Sequence, residues 1–243
     1  MLDAAGYSHI GNRENNQDAF LINNRLGLYL VADGVGGHQA GEIASELTCQ
    51  IINQRIAAGT NLVDAIHQSH NSILDVANNS DRTGMASTVV ALKVERDNCM
   101  LAWVGDSRGY LWQGDLRMLT RDHTRIQALL DIGLISAADA RTHPEKGVLT
   151  QALGIPDRPI NVDSLEIHFA IGETLMMCTD GIYDVVPEAT INDMLSKQEN
   201  ATITARSLVE YAVAQGAQDN CTCLILRKVA EPSDDDRTAV FQL

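Results

Sequence analysis

Apolar residues in this chain gather into short runs separated by polar turns. Leu28 to Ala32 (LYLVA) is continuously apolar, as a strand buried on both faces would be. Ser87 to Val94 (STVVALKV) is β-branched and partly alternating, and Met100 to Val104 (MLAWV) is joined to Gly109 to Trp112 (GYLW) through GDSR. Thr174 to Cys178 (TLMMC) and Thr222 to Leu226 (TCLIL) complete the set of predicted strands. Helical spacing appears between them. In Gln39 to Ala58, Ile43, Leu47 and Ile51 recur every four residues and predict one buried stripe. Leu62 to Ala77 repeats the pattern with Leu62, Ile66, Ile73 and Leu74, interrupted by Ser69 and His70. Thr204 to Gln215 presents Leu208, Val209, Ala212 and Val213 on one side and stops at Gly216, and Pro187 to Lys197 reads as a short helix with proline near its first turn. Strand and helix do not alternate strictly, which argues against a doubly wound parallel sheet and for a mainly antiparallel sheet with helices packed outside. Residues 120 to 154 are polar and interrupted, a surface excursion. Glu231 to Leu243 (EPSDDDRTAVFQL) reads as a mobile acidic tail.

The 243 residues suit one large domain or two small ones. No apolar run approaches the roughly 20 residues needed to span a bilayer, and the N-terminus lacks the basic-then-apolar pattern of a secretory signal. Cysteines stand at 49, 99, 178, 221 and 223. The odd number, irregular spacing and absence of a CxxC pair favour reduced, buried thiols in a cytoplasmic protein over disulfides or zinc, and on a strand Cys221 and Cys223 would face the same side. A formal charge of -14 disfavours binding to nucleic acid or to an anionic membrane. A carboxylate excess of this size is also compatible with a divalent-cation site, because hard cations take oxygen ligands.

Candidate chemistry begins with VADGVGGH, residues 31 to 38, where an apolar strand runs into Asp33 and three glycines. A turn is the plain reading. A Walker loop is excluded, since no GK pair follows, and the dinucleotide pattern fails because Gln39 holds its last glycine position. Asp18, Asp106, Asp180 and Asp219 likewise sit at strand edges, in NNQDAF, VGDSR, CTDG and QDNC. Taken singly, each is a turn aspartate. Together they could converge at one edge of a folded sheet, where clustered carboxylates need a counter-charge that magnesium or manganese would supply. Glycines at 34, 36 and 37 would then leave room for ions near the main chain, with the Gly34 carbonyl a candidate ligand.

These motifs resemble the metal-dependent protein phosphatases of the 2C type, in particular short bacterial members. The resemblance covers about residues 4 to 228 and rests on GNRENNQDAF, VADGVGGH, MASTVV, WVGDSRGYLW, LTRDHT, HPEKGVLTQALG, CTDGIYD and QDNCTC in order. It implies an α+β fold, a four-layer α-β-β-α sandwich of two mainly antiparallel sheets flanked by helices. It implies a single catalytic domain over 1 to 229, with a flap at about 120 to 154 and the tail from 230 to 243. It also implies hydrolysis of phosphoserine and phosphothreonine on proteins by water activated at a binuclear Mn/Mg centre. Carried over, Asp33 bridges the two ions, Asp180 and Asp219 bind the first, and the Gly34 carbonyl binds the second with Asp18 holding a water. Asp106 helps Asp180 to hold a third, weaker ion. Arg13 grips the substrate phosphate, and His38 stands as a candidate general acid. Gln17, Thr179 and Lys146-Gly147 depart from glutamate, serine and Arg-Asn, which are common in relatives at those places.

Other phosphate chemistries find no support. GDSRG is not the GxSxG elbow, and no C-x5-R loop surrounds Cys178. Two alternatives stay open at this point: a phosphatase acting on small phosphoesters, and a catalytically weak phosphoprotein-binding regulator. The expected partners are phosphorylated proteins, targets of a serine/threonine kinase, met by a monomer. Thr238, in DDDRTAVF, is an acidic-context candidate for phosphorylation.

Overall fold

The computed structural model describes residues 1–36, 40–80, 84–95, 98–140, 142–156 and 159–230, so the tail expected from 231 and Thr238 lie outside the described residues. The chain runs β1 (Leu2–His9), β2 (Asp18–Asn23), β3 (Leu28–Val35), α1 (Ala40–Ala57), α2 (Leu62–Asn78), β4 (Ala86–Ser87), β5 (Val89–Glu95) and β6 (Asn98–Val104). It continues through β7 (Arg108–Trp112), β8 (Leu116–Met118), α3 (Arg125–Asp131), α4 (Ala137–Ala140), β9 (Asp163–Ile167), β10 (Thr174–Cys178), α5 (Asp180–Tyr183), α6 (Glu188–Ser196), α7 (Ala201–Ala214) and β11 (Cys221–Lys228). Two sheets result, ordered β1-β11-β10-β7-β8 and β2-β3-β5-β6-β9, with β4 set against β3. Every pairing is antiparallel.

The apolar runs explain the layering. Along β3, Leu28, Leu30 and Ala32 join the core with α1 and α2, while Tyr29 and Val31 join a second core shared with the other sheet. Along β10 and β11, Leu175, Met177, Leu224 and Leu226 enter that same inter-sheet core. Met176, Cys178, Cys223 and Ile225 face α5, α6 and α7 in a third. Strand side chains alternate between faces, so a strand with a core on each side must be apolar throughout. Helices, two sheets and helices again give the expected four-layer sandwich. All five cysteines are free and buried, and Cys221 and Cys223 share one face of β11.

The buried stripe of α1 differs from the expected one. Ala44, Thr48, Ile52 and Ile56 are the inward residues, while Ile43 and Leu47 pack at its flank and Ile51 is half-buried. Small residues, Ala44 and Thr48, lead the inward face where α1 first meets β3, and Ile52 and Ile56 follow on the same face. Helix α7 starts three residues before the expected Thr204, because Asn200 caps it, its side chain accepting from the Ile203 N–H at 2.9 Å, and Asp3 accepts from the Ala201 N–H at 2.9 Å. The excursion from 120 to 154 is tied down by single bridges, Thr124 to Leu149 and Ser87 to Leu153. Among the described residues no helix is long and apolar enough to cross a membrane.

Candidate active site

The strand edges converge. Asp18 and Asp33 are direct cross-strand partners of β2 and β3, so their side chains leave the same face. Asp180 opens α5 immediately after β10, and Asp219 immediately precedes the neighbouring β11. Asp106 lies in the β6–β7 turn, where the chain passes from one sheet to the other. Arg13, Asp33, Gly34, Asp106, Asp180 and Asp219 line one cleft of about 380 Å³. Asp18 sits behind it, where Thr179 Oγ1 donates to its Oδ2 at 2.8 Å. Thr179 Oγ1 in turn accepts from the Thr222 N–H at 3.1 Å. The threonine found in place of a common serine thus fastens β10 to β2. His38 lies outside the described residues.

Burial raises the pKa of these carboxyls, and each adds to its neighbours' shift. Asp33 is held well above the ordinary carboxylate value by burial and by the charges of Asp18 and Asp180. Burial pushes Asp18 up to about 7, against the hydroxyls of Thr222 and Thr179, which favour its ionised form. Asp106 rises to about 8 through burial and Asp180, and Asp180 to about 6 through burial and Asp219. Among the described residues, Asp180 Oδ1 is buried without a hydrogen-bond partner. A recessed, oxygen-only cluster with an orphaned carboxylate oxygen and too little positive charge fits a hard divalent cation such as magnesium or manganese.

One cation is already present. Arg13 donates from Nε to Asp219 Oδ1 at 3.0 Å and from Nη2 to Oδ2 at 2.6 Å. Among the described residues no three acidic, cysteine or histidine side chains are gathered tightly enough to share an ion in this arrangement. Hydrogen bonding to Asp219 raises the Arg13 pKa further.

Gly34 and Gly36 have a steric role besides the expected one, and Gly37 lies outside the described residues. A Cβ at Gly34 would lie 2.0 Å from the Gly41 carbonyl oxygen and 2.8 Å from that of Gln17, and one at Gly36 would lie 3.0 Å from Ala40 Cβ. The small residues admit the first turn of α1 against β3. Gly34 still lines the cleft.

Several supporting residues were not singled out in the sequence. Asn220 accepts from the Gln17 N–H at 2.7 Å and donates to the carbonyls of Ile10 at 2.8 Å and Asn15 at 3.0 Å, pinning the loop that carries Arg13. Arg108 forks onto Asp122, with Nη2 to Oδ2 at 2.7 Å, and lies 3.6 Å from the ring centre of Tyr183. The Tyr183 hydroxyl donates to the Asp106 carbonyl at 3.0 Å. His123 Nδ1 accepts from the Gly105 N–H at 3.2 Å, steadying the same turn. The available signal was position: Asn220, Arg108, Asp122, His123 and Tyr183 all stand inside quoted motifs that carry an aspartate.

Comparison with known proteins decides the family. A family model described as Protein phosphatase 2C matches residues 5–219. The chain belongs to the protein phosphatase 2C family. The serine/threonine phosphatase stp of Listeria innocua is 34% identical over 227 residues, covering 88% of this chain and 90% of that protein. The crystal structure of the Mycobacterium tuberculosis serine/threonine phosphatase PstP superposes with a TM-score of 0.86 at 29% identity, covering 94% of this chain and 99% of that one. A structure of the catalytic domain of PstP in complex with two manganese ions gives a TM-score of 0.84 at 28% identity over 94% of this chain and 99% of that one. The four-layer sandwich described above is therefore a phosphatase 2C fold, and its acidic cleft stands at the carboxylate-bearing ends of both sheets.

Proposed function

We propose that this chain hydrolyses phosphoserine and phosphothreonine on proteins, using two manganese or magnesium ions held by the cleft carboxylates. The observation that carries the reading is the convergence of carboxylates from five separate segments, with burial raising the pKa of four of them and one oxygen left without a partner among the described residues. Asp33 would span both ions, Asp180 and Asp219 would hold the first, the Gly34 carbonyl the second, and Asp106 with Asp180 a weaker third. When bound, the ions polarise the phosphoryl oxygens and lower the pKa of water.

The chain's own groups do the rest. Arg13 presents a planar, permanently charged fork that fits two phosphoryl oxygens, and Asn220 fixes the loop that aims it. Asp18, oriented by Thr179, would accept a hydrogen bond from water at the back of the cleft. Tyr183 and His123 hold the turn bearing Asp106. His38 is the proposed donor to the leaving serine or threonine oxygen. We assign residues 1 to 229 to one catalytic unit with 120 to 154 as its flap, working as a cytoplasmic monomer against a serine/threonine kinase, as befits its bacterial phosphatase relatives. The test is turnover of a phosphothreonine peptide after chelation and manganese return. Activity that vanishes with chelator and returns with manganese supports the reading. Activity indifferent to chelator, or binding without turnover, contradicts it.

A further inference from the structure

The hydrolytic cleft opens into a larger groove, of about 880 Å³, that the chemistry above does not use. Asp106, Gly147 and Asp180 line both. Ile126 and Leu130 of α3 and Ala137 of α4 form one wall, and Val185, Val186 and Pro187, after α5, line the other. Its polar side chains are largely spoken for. Asp122 is engaged by Arg108 at 2.7 Å, and Asp184 by Lys146 at 2.9 Å. Glu188, exposed at the N-terminal end of α6, lines the groove and makes no ion pair among the described residues.

We propose that this groove receives the substrate polypeptide beside the phosphorylated residue, selecting an apolar side chain there and a basic one near Glu188. The inference rests on the phosphatase reading. Continuity names the occupant. A chain whose phosphate lies against Arg13 and Asp180 reaches the groove across Gly147, which borders both spaces. An apolar side chain there covers Ile126, Leu130 and Val185, and a cation answers the uncompensated carboxylate of Glu188. Lys146 and Asp184 link the flap to the end of α5 at the groove's margin.

The experiment measures kcat/KM, with manganese, for a phosphothreonine peptide series in which leucine or phenylalanine is moved along an alanine background, with and without a lysine beyond it. Para-nitrophenyl phosphate reports the hydrolytic centre alone. The expected result is a preference of about tenfold or more for the apolar residue at one position. Ala137→Trp, which fills the groove, should abolish that preference with para-nitrophenyl phosphate turnover unchanged. Glu188→Lys should remove the gain from the peptide lysine while keeping the apolar preference, an independent check should the tryptophan variant fold poorly. Equal kcat/KM across the series, with para-nitrophenyl phosphate turned over normally, overturns the groove assignment and leaves the phosphatase reading standing. Failure to hydrolyse any of these compounds overturns both.

Discussion

Arg13 and Asp219, 206 positions apart in the chain, meet as a two-bond ion pair at the rim of the acidic cleft. The arginine assigned to the substrate phosphate therefore neutralises a carboxylate assigned to a metal ion. Each must turn away from the other before both tasks can be done at once. Arg13→Ala should tighten manganese binding, measured by calorimetry. The pair is well exposed, 57% and 40% for the two side chains, so the gain should be modest, up to about fivefold. The same substitution should lower kcat/KM for a phosphopeptide by roughly a hundredfold, because a charged donor to the phosphoryl oxygens is lost. Weaker manganese binding in the variant would show that Arg13 supports the metal-loaded arrangement rather than competing with it.

Asp33 is the most heavily penalised carboxyl, so its replacement should separate stability from metal response. Saturating manganese at about a hundred times its Kd should stabilise the wild-type protein by about 2.7 kcal/mol, or roughly 5–10 °C in Tm. In Asp33→Asn that increment should vanish. With chelator present, the variant should melt no lower than wild type, since a buried carboxyl crowded by Asp18 and Asp180 is replaced by a neutral group. A manganese increment equal to that of wild type would remove Asp33 from the metal site.

Gly34→Ala tests why the glycine is there. Its Cβ would sit 2.0 Å from a backbone oxygen of α1, which no rotamer change relieves. Chemical denaturation should show a loss of about 3 kcal/mol. A neutral substitution would return the glycine to the role first suggested, space for a ligand.

His70 carries a pH dependence outside the carboxylate cluster. It is 7% exposed on α2, and its Nδ1 accepts from the Gly154 N–H at 3.0 Å. Burial, then His67, lowers its pKa below the ordinary 6.5. The folded-state pKa being depressed, the neutral ring contributes stability that is complete above the ordinary value and lost as pH falls below it through the folded-state pKa. Between pH 7 and 5, wild type should lose Tm more steeply than His70→Asn, whose side-chain oxygen still accepts without titrating. Parallel curves would exclude His70.

What could be read in the sequence, and what could not, follows from how far each interaction reaches. β3, β10 and β11 were legible because a strand with a core on both faces is a continuous apolar run. β1 was not: Leu2–His9 is half-buried along its whole length and shows no alternation. Its strand character comes from pairing with β11, in register from Leu2–Lys228 to His9–Cys221. The α1 stripe was misplaced because spacing shows which residues share a face but not that the face of Ala44, Thr48, Ile52 and Ile56 lies innermost. At the site, aspartates at successive strand edges marked the convergence. Arg13 on Asp219, Asn220 on Ile10 and Tyr183 on the Asp106 carbonyl join residues 206, 210 and 77 positions apart, and no local pattern encodes them.

The most direct measurement is anomalous diffraction from a crystal grown with manganese. Two peaks about 3.5–4 Å apart should appear in the cleft, with Asp33 between them, Asp180 and Asp219 on one and the Gly34 carbonyl on the other. Manganese bound only at scattered surface carboxylates, in crystals whose dissolved protein still hydrolyses phosphothreonine peptides, would contradict the account at its centre.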